Sequence, residues 1–176
     1  MIRTRVGYCG GTTQSPTYRS IGDHAETIQI DFDPNKISYE KLLEVFWTTH
    51  NSCATPWSRQ YMSAIFYEDD AQLDAIEHTR RIFVKDPARV RTEIVPLQKF
   101  WIAEDYHQKY RLRQDARLLE ELRGKFESER AFIDSTAVAR INGYLSGEGS
   151  KAQLEREIER FGLSSASRER LRKHVR

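Results

Sequence analysis

Cysteine is scarce. Cys9 and Cys53 are the two thiols in 176 residues, too few for a disulfide framework or a cysteine-rich metal cluster, so two free thiols are expected and no metal. Proline (five) and glycine (nine) are also sparse, which excludes collagen-like and low-complexity chains. No apolar run approaches the roughly 20 residues of a membrane-spanning helix. The opening residues MIRTRVGYCGG have no apolar signal core with a small-residue cleavage site. The expectation is a cytoplasmic protein without a membrane partner. Net charge is small as well, +2, so a uniform polyanion-binding surface is not expected. Hydrophobic residues at 39% and charged residues at 31% are enough to build a folded core.

The charges are unevenly spread. Residues 1–110 hold 13 Lys/Arg against 15 Asp/Glu, and residues 111–176 hold 15 against 11. Interleaved charges on helices usually form a solvated face, so nucleic acid is an unlikely partner even for the basic tail.

Residues 1–110 alternate strand-like and helix-like patterns. Ile2–Tyr8 and Glu26–Phe32 read as strands, the second with Ile28, Ile30 and Phe32 on one face at period two. Asp33-Pro34-Asn35 ends it. Ser38 is placed to cap a helix carrying Leu42, Leu43, Val45, Phe46 and Trp47, although Lys41 stands where a capping box has Glu. Ala64–Tyr67 is a short apolar strand. Asp69 and Asp70 open a helix whose core face holds Leu73, Ile76 and Ile82, and Arg91–Leu97 is a last strand. Beyond residue 110 the pattern is helical. One amphipathic helix runs from Leu112 to Phe126, and others cover Thr136–Leu145, Lys151–Phe161 with Gly162 as its stop, and Ser165–Arg176. The stripes Leu118/Leu119/Leu122/Phe126, Val138/Ile141/Tyr144/Leu145 and Leu154/Ile158/Phe161 predict three helices around one small core.

The loop GYCGGTTQSPTYRSIGDHAE stands out. It places Tyr18, Asp23, His24 and Glu26 between two strands, which suits a buried polar network as well as it suits a functional loop. No nucleophile-elbow pattern surrounds a serine, so a serine hydrolase has no support.

The stretch RTRVGYCGGTTQSPTYRSIGDHAETIQIDFDPNKISYEKLLEVFWTTH resembles the heart of the peptide methionine sulfoxide reductase A family. RQYMSAIFY and FWIAEDYHQKY resemble that family's two other blocks, in its order and spacing, over residues 1–112. The resemblance implies an α/β (α+β) fold. This would be a ferredoxin-like two-layer sandwich in residues 1–112, missing its first strand and helix, with an all-helical extension over 113–176. It implies thiol-dependent reduction of methionine S-sulfoxide, free or in proteins, through a sulfenic acid and a disulfide. The external reductant would be thioredoxin or another dithiol, with no cofactor. The residues carried over are Tyr18 of SPTYR, Glu26 of GDHAE and Tyr61 of RQY, which would bind the sulfoxide oxygen and help protonate it. Burial would have to raise the Glu26 pKa for it to act as an acid near neutrality.

The chain also departs from the family pattern. The family's GCFWG nucleophile motif stands about 20 residues upstream of RTRVGY and is not among these residues. Because Met1 falls inside what should be a continuous helix–loop–strand connection, the expectation is a truncated start, with weak stability and little or no turnover. Cys9 and Cys53 are the candidate thiols, and buried or inert thiols are the plainer reading. Ala54-Thr55-Pro56-Trp57-Ser58 replaces the family's Asn-Asp pair, which makes Trp57 a candidate aromatic wall for substrate. The alternatives are a non-catalytic module that binds oxidised methionine, or an interaction protein acting through its basic helical tail.

Overall fold

Arg-Thr-Arg-Val-Gly-Tyr-Cys begins the fold as strand β1 (Arg3–Cys9), and the alternating segment beyond the long loop forms β2 (Ala25–Asp31). The computed structural model describes residues 2–175. Met1 and Arg176, the latter the expected end of the last helix, lie outside the described residues. The Ser38 hydroxyl accepts the Lys41 N–H and opens helix α1 (Tyr39–Thr49). Strand β3 (Ala64–Tyr67) follows, and the Asp69 carboxylate caps α2 (Asp70–Phe83) through the Gln72 N–H. A 3₁₀ turn at Pro87–Arg89 leads to β4 (Glu93–Pro96) and then to β5 (Trp101–Ile102). Three strands lie in the order β2-β1-β5, with β5 antiparallel to β1, while β3 and β4 form a separate parallel pair.

Helices complete the chain: α3 (Tyr110–Arg113), α4 (Ala116–Arg123), α5 (Glu129–Asp134), α6 (Thr136–Leu145), α7 (Lys151–Glu157) and α8 (Ser165–His174). The result is a mixed α/β protein. Two compact units divide it. One comprises residues 6–28 and 32–103, here called the α/β unit. The other comprises residues 2–5, 29–31 and 104–175, here called the helical unit.

Leu43, Trp47, Ile65, Ile76 and Val84 form the apolar core of the α/β unit. The Trp47 indole N–H donates to the Thr79 hydroxyl at 3.1 Å inside it, so the ring is buried without an orphaned donor. Ile82, expected on this core face, is 58% exposed, and Ile28 of β2 is 56% exposed. Ile28 lies on an open face of β2 with Ile30, whereas Ile82 is not on the core face at all: six residues beyond the fully buried Ile76, it points roughly 120° away around α2.

In the helical unit the three expected stripes meet in one cluster that includes Leu118, Leu122, Val138, Ile141, Leu154 and Ile158. The single helix expected from Leu112 to Phe126 is instead two helices: a break at Gln114–Asp115 separates α3 from α4, and α4 ends at Arg123. Beyond it, Ser128 caps the unforeseen α5 by accepting the Ala131 N–H. Gly162, at φ 66°, ends the 3₁₀ turn Ile158–Phe161 as a left-handed stop. Arg5 is buried and bidentate to Asp134, Nε to Oδ1 at 2.6 Å and Nη2 to Oδ2 at 2.9 Å. That pairing, with Arg130 adding a contact, holds the Asp134 carboxyl down at about 2. Lys109 is only 5% exposed and donates to the Thr4 carbonyl and hydroxyl. Burial lowers its pKa to about 8.

Candidate functional site

The loop between β1 and β2 owes its shape to two side chains rather than to a core. Asp23 accepts four hydrogen bonds from two consecutive threonines. Thr12 N and Oγ1 reach its Oδ2 at 2.8 and 2.9 Å, and Thr13 N and Oγ1 reach its Oδ1 at 3.0 and 2.8 Å. Those donors hold the Asp23 carboxyl far below the usual carboxylate range, the backbone N–H of Thr12 most of all. His24 is buried, accepts the Gly11 N–H on Nδ1 at 3.1 Å and donates from Nε2 to the Thr13 carbonyl at 2.8 Å. The two bonds fix the tautomer with its hydrogen on Nε2. Gly10 has φ 81° and packs so close to Phe66 that a Cβ would lie 2.8 Å from the ring, which leaves no residue but glycine there. The polar network expected of this loop is therefore present, and it is separate from the residues that face outward.

Arg59 joins the loop to the segment before β3. Its Nε donates to the Asp23 carbonyl at 3.1 Å, Nη2 to the Gly10 carbonyl at 3.2 Å and Nη1 to Glu93 at 2.7 Å. The next residue continues the junction: the Gln60 carbonyl accepts the Glu26 N–H at 2.9 Å. With the backbone pinned at 59 and 60, Tyr61 faces Tyr18, and their hydroxyl oxygens lie 3.3 Å apart. Trp57 is 81% exposed and stacks on the Tyr61 ring, with centroids 4.7 Å apart and planes at 21°.

Glu26 lies on the first turn of β2, exposed rather than buried. Its Oε1 accepts from Gln60 Nε2 at 2.5 Å. The Tyr61 hydroxyl is pushed up to about 12, first by its hydrogen bond with Tyr18, then by loss of solvent, then by the charges of Tyr18 and Glu26. Tyr61 is therefore a hydrogen-bond donor at any ordinary pH, close enough to feel the Glu26 carboxylate. The burial expected at Glu26 is not found, because β2 turns this face outward together with Ile28.

The cysteines differ. Cys9 is fully buried at the end of β1, and burial pushes its thiol up to about 11 against a smaller opposing effect of the Thr27 hydroxyl. Cys53 is half-buried beside the α/β core, with its N–H bonded to Asn51 Oδ1 at 3.1 Å. No cluster of three or more metal-ligating side chains occurs among the described residues. Nor is any described helix long and apolar enough to cross a membrane. Sequence reasoning placed Asp23 and His24 in the loop's polar network but missed Arg59 and Gln60 as organisers of the site. Arg59 and Gln60 stand inside the quoted RQY block, but their partners lie more than 30 residues away.

The site thus presents two phenol hydroxyls in contact, with Glu26 held by the residue that precedes Tyr61, and comparison with known proteins identifies the family. Residues 1–151 match the family described as peptide methionine sulfoxide reductase, and the chain belongs to that family. The match passes residue 112 into the helices. A Drosophila melanogaster protein named peptide methionine sulfoxide reductase is 38% identical over 99% of this chain and 71% of its own length, so the helical region is shared with it. Peptide methionine sulfoxide reductase MsrA of Methanococcoides burtonii is 44% identical over 62% of this chain and 80% of its own. Among solved structures, reduced Mxr1 from Saccharomyces cerevisiae aligns with a TM-score of 0.58 at 25% identity, covering 64% of this chain and 70% of that one.

Proposed function

We propose that this oxidoreductase acts on methionine S-sulfoxide, free or in proteins, and that Tyr18, Tyr61 and Glu26 hold the sulfoxide oxygen. The observation that carries the reading is the pair of hydroxyls, Tyr18 and Tyr61, 3.3 Å apart. A sulfoxide oxygen carries substantial negative charge and accepts two or three hydrogen bonds, and it becomes more basic as a thiolate attacks the sulfur. Phenol donors and a carboxylic acid aimed at that oxygen therefore bind the transition state more strongly than the ground state. The exposed Trp57 face, stacked on Tyr61, suits the apolar flank of the methionine side chain.

In the chemistry proposed, a thiol gives up its proton and its sulfur bonds to the substrate sulfur while the sulfoxide oxygen takes up a proton. The hydroxyl then passes to the enzyme sulfur as the S–O bond to substrate and the transient S–S bond break, so that methionine leaves and a sulfenic acid remains. A second thiol displaces water to give a disulfide, which a dithiol such as thioredoxin reduces in the cytoplasm. Of the two thiols here, Cys53 is the more available, since Cys9 is buried and held protonated. The 176 residues contain no GCFWG, so this polypeptide alone is expected to bind sulfoxide and reduce it slowly. We also infer that residues 1–112 belong to a ferredoxin-like two-layer sandwich, a reading supported by helices α1 and α2 packed with short strands in this region. The helical region over 113–176 is proposed as its extension.

A dithiothreitol-driven assay on the resolved S- and R-sulfoxides of N-acetylmethionine tests this. Preferential binding of the S form with slow turnover supports the reading, and equal binding of the two forms rejects the site. Fast turnover abolished by Cys53→Ser would overturn the slow-reduction part and make Cys53 the nucleophile.

A further inference from the structure

The Gln60 side chain has no role in the chemistry proposed above, yet it makes the shortest contact to the acid. Gln60 Nε2 lies 2.5 Å from Glu26 Oε1, and the same residue's carbonyl accepts the Glu26 N–H at 2.9 Å. One residue thus grips Glu26 at both its backbone and its carboxyl group. The grip is itself anchored, because Arg59, the preceding residue, is bonded to the Asp23 and Gly10 carbonyls. Gln60 is half-buried, whereas Glu26 is exposed, so burial does not order the carboxyl. An exposed glutamate left to itself samples many rotamers, and ordering it at a substrate atom would cost binding free energy.

We infer that Gln60 is a positioning residue for Glu26: by donating to Oε1 it fixes the carboxyl plane and assigns the transferable proton to Oε2. The inference rests on the reading of Glu26 as the acid. The chemistry is that of a neutral carboxyl group, whose carbonyl oxygen is the better acceptor and whose other oxygen carries the hydrogen. An amide N–H has no lone pair with which to accept a carboxylic proton, so Oε1 in contact with Nε2 is the acceptor oxygen. Gln60 therefore selects which oxygen is the acid. In general an amide donor stabilises a carboxylate more than a neutral carboxyl group.

The test uses the full 176-residue chain and N-acetylmethionine S-sulfoxide amide, a probe with no titrating group. Binding is followed by NMR through the Trp57 indole signal as a function of pH. In the unmodified chain affinity falls as Glu26 ionises, and Glu26→Gln removes the inflection. Gln60→Ala should weaken binding about tenfold at low pH, the scale of one lost hydrogen bond to a charged or acidic group, and move the inflection upward. Gln60→Glu should move it further upward, because two carboxyls then share the site. If Gln60 were merely structural, Gln60→Ala would weaken binding with the inflection unmoved, and that result overturns the inference. If the unmodified chain shows no inflection that Glu26→Gln removes, the reading of Glu26 fails instead, and the two failures are distinguishable.

Discussion

The helical unit and the α/β unit solve the problem of order by different means. In the helical unit fourteen buried apolar residues form one cluster among the described residues, from Leu112 through Val175. In the α/β unit the corresponding cluster has five, and much of the remaining order comes from polar contacts: Asp23 with Thr12 and Thr13, His24 with Gly11 and Thr13, and Arg59 with two carbonyls and Glu93. Apolar clustering is non-directional and tolerates many arrangements. Hydrogen-bonded loops fix particular atoms in particular places at little net stability. The difference teaches where chemistry belongs in this chain: the candidate site is on the part held by directional bonds.

The contrast can be broken most severely by truncating core residues. Ile141→Ala, at a fully buried position in the larger cluster, should cost about 3–5 kcal/mol, whereas Ile76→Ala should cost about 2–3 kcal/mol. Both positions are fully buried, but the smaller cluster is flanked by half-buried residues that can relax into the space. Urea unfolding of the two variants compares them, and a reversed order would contradict the comparison.

Asp134→Asn tests the helical unit's main polar joint. Arg5 would be left buried with half its partners, at a cost of about 2–3 kcal/mol. The pH dependence has a definite sign. The folded carboxyl titrates at about 2 and the unfolded one at the ordinary 3.8. Its contribution is thus complete above 3.8 and is lost as the pH falls through 2. The variant's unfolding midpoint should therefore flatten relative to the parent below pH 4, and parallel curves would remove Asp134 from the account.

Legibility in the sequence followed the same division. The stripe Leu154/Ile158/Phe161, the caps at Ser38 and Asp69 and the stop at Gly162 are local signals, and they were readable because the physics that produces them spans a few residues. The two-residue strand β5 was not readable, since Trp101 and Ile102 are strand only through pairing with Tyr8 and Gly7. Helix α5 was missed because six residues carry little periodicity beyond the Ser128 cap. Ile28 shows a further limit: a repeat says which side chains share a face, not whether anything covers it, while Ile82 does not fit the helical repeat of Ile76 and so lies off the core face. At the site, Tyr18 and Tyr61 were found through motif resemblance, as 43 residues separate them and no local pattern joins them. Gln60 and Arg59 escaped because their roles consist of bonds to partners 34 and 36 residues distant.

A smaller effect sharpens the picture within the α/β unit. Cys53 should react with iodoacetamide well before Cys9, which is buried and whose thiol is raised to about 11. Mass spectrometry of partly alkylated protein gives the order, and first modification at Cys9 would show that the end of β1 opens readily.

The central claim is that two tyrosine hydroxyls and one carboxyl form a sulfoxide-oxygen site, and titration of the chain with N-acetylmethionine S-sulfoxide amide, followed by NMR, tests it most directly. The account predicts shifts concentrated at Tyr18, Glu26, Trp57 and Tyr61. It also predicts a loss of affinity of at least about tenfold when both tyrosines are changed to phenylalanine, the scale of two lost hydrogen bonds. Unchanged affinity in the Tyr18→Phe/Tyr61→Phe variant, or shifts centred elsewhere, would contradict it.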